Sequence, residues 1–139
     1  MTYRNLETKL NTHATTAGIS TYIYGYLDEV AADTREGVYP CMVINPISRP
    51  LKTRTKDDWV LADVDVYIMN SWKREDTTTR TQVWDGIDTK MLAFVAAVNA
   101  SNDFTVLNVG AVDSEVYPFG LNVDSVVAIK YTLKLKIWC

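Results

Sequence analysis

The chain has one histidine and two cysteines among its 139 residues, and no excess of positive charge. Each scarcity excludes something. His13 has no second histidine to join it in a zinc site or a catalytic relay. Cys41 and Cys139 are too few for the disulfide framework of a small secreted domain. With Cys41 in an apolar run and Cys139 the last residue, two free thiols are expected. Fourteen basic residues stand against 17 acidic ones, a net charge of -3. That balance lacks the cationic excess needed to grip nucleic acid over a wide surface. No apolar run approaches the roughly 18 residues that cross a bilayer, and the first residues lack a signal peptide's apolar core. The protein is therefore expected to stay in the compartment where it is made. Cys-x-x-Cys, Walker, G-x-S-x-G and dinucleotide-binding glycine patterns do not occur. Gly37, Gly110 and Gly120 stand alone, as turn and bulge glycines do.

What is present suits one globular α+β domain spanning residues 1–139: the chain is 47% hydrophobic and 22% charged. Leu6, Leu10, Ala14 and Ala17 recur at helical spacing, predicting a short helix over 4–17 that Gly18 stops. Residues 19–26 are β-branched and aromatic and predict a strand. A connection follows over 28–38, and the apolar run 41–44 predicts a short strand buried on both faces. Residues 49–56 and 59–69 predict a hairpin turning at Asp57 and Asp58. In the second of these strands, Val60, Ala62, Val64, Val66 and Ile68 share one face while Asp63 and Asp65 take the other. Val83, Ile87, Met91, Phe94 and Val98 predict a long amphipathic helix over about 78–100, with Ile87 inward and Leu92 outward. Gly86 inside it costs about 1 kcal/mol relative to alanine, which suggests close packing or a break there. A strand over 104–112, a loop over 114–122 and a strand over 123–138 complete the chain. In the last, Lys130, Thr132, Lys134 and Lys136 oppose Ile129, Tyr131, Leu133, Leu135 and Ile137. The expected architecture is a mixed, mainly antiparallel sheet with both helices packed on one face, and the final strand projecting beyond it.

Three groups of residues are candidates for function. Asp63 and Asp65 project from the same face of one strand, as metal-binding carboxylates of nucleases do. The simpler reading pairs them with Lys130, Lys134 and Lys136 across a wet sheet face. The basic residues Arg49, Lys52, Arg54 and Lys56 stand on the hairpin arm at about 49–58. That arm has too few apolar residues to hold itself on the core and is expected to reach a neighbouring subunit. Tyr22, Tyr24 and Tyr26 share a face that either a helix of the same chain or a neighbouring subunit must cover.

Element order adds a resemblance. The steps Tyr39-Pro40, Cys41-Met42-Val43-Ile44 and Asn45-Pro46 lead into the hairpin arm, the strand Trp59 to Met69 and the long helix. A closing pair of strands follows, with Asn122-Val123-Asp124-Ser125-Val126-Val127 before the last. In this order the chain resembles the tail terminator and neck-ring proteins of tailed bacteriophages. The resemblance implies a non-enzymatic structural subunit of the virion, without metal or cofactor, made in the host cytoplasm. It implies a ring of identical subunits, usually six, that ends tail-tube growth, joins the head connector and lets DNA pass. Arg49, Lys52, Arg54, Lys56, Tyr22 and Tyr24 would then serve interfaces, and Asp63 and Asp65 would line the lumen. The alternatives from other classes are a metal-dependent nuclease using Asp63 and Asp65, and a small adaptor that binds partners by strand addition.

Overall fold

The computed structural model describes residues 2–25, 40–47, 59–72, 80–118 and 125–138. The element order is helix α1 (Tyr3–Thr16), strands β1 (Thr21–Tyr24), β2 (Cys41–Ile44) and β3 (Trp59–Trp72), helix α2 (Arg80–Ala100), and strands β4 (Phe104–Pro118) and β5 (Ser125–Trp138). The strands form one sheet in the order β1-β2-β3-β5-β4. The fold class is α+β with a mixed sheet.

α1 starts and stops on identifiable chemistry. The Thr2 side chain accepts the Asn5 N–H and caps the helix N-terminus. At the other end Gly18 takes φ +85°, and its N–H bonds the Thr15 carbonyl while the Ile19 N–H bonds the Ala14 carbonyl. These are the two bonds of a Schellman motif, and Ile19 and Ala14 supply its apolar contact inside the core. Ile19 therefore belongs to the turn and not to the strand, which begins only at Thr21.

β1 and β2 run parallel, whereas every other described pair in the sheet is antiparallel. Residues 25–40 provide the dozen or so residues that a parallel crossover requires. All four residues of β2 are buried, as the unbroken apolar run implies.

The last strand is flanked on both sides by equals. β3 pairs with β5 along the whole of both, and β4 pairs with β5 from Phe104↔Ile137 to Pro118↔Ser125. Each spans 14 or 15 residues, roughly 45 Å of strand. β4 thus continues to Pro118 through most of the expected loop, because β5 offers it backbone partners that far. β5 does not project alone. Two irregularities, between Val106 and Asn108 and between Ala111 and Asp113, bend β4 at the edge of the sheet.

Both helices lie on one face and close the larger core. Leu6, Leu10 and Ala14 from α1 meet Val83, Ile87, Met91, Phe94 and Val98 from α2. Beneath them are Val60 to Ile68 of β3 and Ile129 to Ile137 of β5, taken at every second residue. Gly86 departs from expectation: it is exposed, a Cβ there would meet nothing within 4 Å, and α2 runs through it unbroken. Among the described residues no helix is long and apolar enough to cross a membrane.

Candidate functional site

On the face away from the helices, β3 and β5 alternate in the opposite sense. Asp63 lies opposite Lys134, Asp65 opposite Thr132, Leu61 opposite Lys136, and Trp59 opposite Trp138. Asp65 accepts a hydrogen bond from the Thr132 hydroxyl at 3.1 Å and lies 3.9 Å from the Lys130 ammonium. The two aspartates thus stand among three lysines of β5. No group of three metal-ligating side chains exists among the described residues. The cross-strand pairing expected from the alternation is what brings Asp65, Thr132 and Lys130 together.

Where β3 begins and β5 ends, the character changes. The Lys136 ammonium lies 4.4 Å from the ring centres of both Trp59 and Trp138. Their π faces attract the cation, and among the described residues no carboxylate joins it. Both indoles remain accessible, at 45% for Trp59 and 36% for Trp138. Trp138 also lies 3.5 Å from the Thr105 hydroxyl through its indole N–H. Sequence reading assigned neither tryptophan a role, although the register of two alternating strands would have paired them.

A second set of exposed apolar residues lies along α2 and β4. Residues 91–112 contain one charged residue, Asp103, and Lys9 of α1 neutralises it at 2.8 Å. Yet several of these uncharged residues face outward. Leu92 is 70% exposed, Leu107 51% and Val109 39%. Asn99 lies two turns beyond Leu92 on the same flank of α2, and its side-chain oxygen accepts the Val106 N–H at 2.8 Å. That flank therefore leans on the start of β4, whose only described partner is β5.

The remaining candidates separate. Tyr22 and Tyr24 pack on the helix side, against the chain's own core. The Tyr24 hydroxyl accepts the Ile47 N–H at 2.7 Å, while the Tyr22 hydroxyl is buried without a partner. Burial, with Tyr24 and Glu7 nearby, holds the Tyr22 phenol well above its ordinary range. Tyr26, Arg49, Lys52, Arg54 and Lys56 lie outside the described residues, as do the hairpin arm and Cys139. Cys41 is a free, buried thiol that burial pushes up to about 11, so it is protonated and unreactive at neutral pH.

One polar contact crosses the core itself. The Tyr131 hydroxyl on β5 donates to the Asp88 carboxylate on α2. Burial first, then this bond and the negative charge of Asp88, keep the phenol protonated far above its ordinary range. It can donate but not act as a base near neutral pH.

Compared with protein-family models and with curated proteins, the chain matches none.

Proposed function

We propose that the protein is a structural subunit of a bacteriophage neck or tail that assembles with its own copies into a ring. The observation that carries the assembly part is that large apolar side chains stand exposed on uncharged stretches, Leu92 on α2 and Leu107 and Val109 on edge strand β4. Depletion of charge at exposed apolar positions is the mark of an interface core rather than of a wetted surface. The phage part rests on the resemblance in element order, and with it a virion location and contacts to connector and tube proteins. In this reading the mixed row of Asp63, Asp65, Lys130, Lys134 and Lys136 suits a surface past which DNA moves. Each uncompensated cation would add phosphate affinity, and here aspartates interrupt the lysines.

Negative-stain electron microscopy of the concentrated chain tests the reading. Closed rings of constant diameter with a central opening support it. A particle that stays monomeric, binds magnesium and cleaves DNA overturns it in favour of the nuclease. Strand addition by an unrelated protein would instead give an asymmetric complex and no rings.

A further inference from the structure

We infer that α1 is a strap that lifts from β1 as a unit about Gly18, and that lifting gives the Tyr22 hydroxyl access to water. The two helices cover different strands: α1 packs on β1 and on α2, while α2 packs on β3, β4 and β5. Lifting α1 would therefore leave most of the core closed. α1 buries Leu6, Leu10 and Ala14, against the larger set of Val83, Ile87, Met91, Phe94 and Val98 from α2.

α1 is also weak as a helix. Four threonines, two asparagines, Tyr3 and His13 make up eight of its 14 residues, and all are poorer helix formers than alanine or leucine. Thr8, Thr12, Thr15 and Thr16 each donate a hydroxyl to the carbonyl four residues earlier, a bond that slightly destabilises a helix. A helix of 14 residues is marginal in water without tertiary contacts. The ion pair of Lys9 with Asp103 helps to hold α1 down, but both partners are accessible, so it contributes little. Gly18 supplies the hinge. It takes φ +85° when the strap is closed, and a glycine reaches negative φ as readily.

Tyr22 adds a drive towards opening. It packs on the helix side with Glu7 of α1 nearby, and its hydroxyl is buried with no partner among the described residues. An unsatisfied hydroxyl regains its hydrogen bonds only when water reaches it.

Amide hydrogen exchange of the full chain tests this, and the outcome does not depend on the ring reading. The hydrogen-bonded amides of α1, from Leu6 to Ala17, are expected to exchange roughly tenfold or more faster than those of α2 and β5, each relative to its unstructured rate. Tyr22→Phe removes the unsatisfied hydroxyl and is expected to slow α1 exchange about tenfold, the opposite of what losing a favourable contact does. Equal protection of α1, α2 and β5 in the native chain overturns the strap, because α1 would then open only when the whole chain unfolds. That comparison needs no variant. Unchanged or faster α1 exchange in Tyr22→Phe, or a lower melting temperature, overturns the release of Tyr22, since its hydroxyl would then have a partner in the closed state.

Discussion

Along β5, Ile129, Tyr131, Leu133, Leu135 and Ile137 are shut beneath the helices, while Lys130, Thr132, Lys134 and Lys136 stand one residue away on accessible ground. The same division runs along β3, where Val60 to Val66 alternate with Leu61, Asp63 and Asp65. One backbone thus serves two solvents. The helix side holds nearly all the large apolar burial. Among the described residues the other side has a small buried cluster of Cys41, Val43, Met69 and Ala128 near β2. Stability is concentrated on one face, which leaves the other free to carry charges and tryptophans that the fold does not need.

The sharpest test of this division compares adjacent residues. Leu135→Ala empties a site that is 1% exposed and is expected to cost about 2–5 kcal/mol. Lys134→Ala, next to it on the open face, is expected to stay within about 0.5 kcal/mol. Urea melts of the two variants check this. Equal losses would mean that the open face is covered and contributes to the core.

Next in size is a polar bond between β5 and α2 on the apolar face. Tyr131→Phe removes the donor to Asp88. A hydrogen bond to a charged group contributes about 1.5–3 kcal/mol, and the exposure of Asp88 places the expected loss toward about 1–2 kcal/mol. The variant's unfolding midpoint measures it. No loss would show that water replaces the tyrosine at no cost, and that the helix face tolerates polar groups as the open face does.

On the open face itself, effects should be small. Asp65→Ala removes the Thr132 bond and a long ion pair with Lys130, worth about 0–1 kcal/mol at such an accessible site. Calorimetric titration of the native chain with magnesium is expected to show no binding that the double change Asp63→Ala, Asp65→Ala abolishes. Micromolar affinity lost in that variant would turn the open face into a catalytic one.

The sequence disclosed the buried face far better than the open one, for a physical reason. Burial imposes a period: two in β3 and β5, three to four in α1 and α2, so Ile87 inward and Leu92 outward could be read directly. Strand order imposes no such pattern. That β5 lies between β3 and β4, and that β1 and β2 are parallel, depends on partners distant in sequence. The same holds for the far end of β4, whose residues look like a loop until β5 is beside them. Gly86 departs from the expected close packing or break because its surroundings are open, and an exposed helical glycine needs no packing reason. The Trp59–Lys136–Trp138 cluster went unread because it exists only once register joins the first residue of one strand to the last residues of another.

The smallest expected effect is a pH dependence at the rim of the covered face. His13 stands edge-on to Phe104, ring centres 6.1 Å apart, and its pKa is lowered from the ordinary 6.5. Burial is the main cause; the negative charge of Asp103 opposes it and the positive charge of Lys9 adds to it. The unfolded chain therefore binds a proton at a higher pH than the folded one. Stability is unaffected above 6.5, declines as pH falls from there toward the lowered folded value, and levels off beneath it. His13→Gln should remove this component alone. Carboxylates titrate at lower pH in both chains, so the difference between native and variant urea midpoints, followed from neutral to mildly acidic pH, isolates the imidazole. A native chain that gains on the variant as pH falls would mean that Asp103 outweighs burial. The imidazolium would then join Lys9 in holding α1 to the turn between α2 and β4.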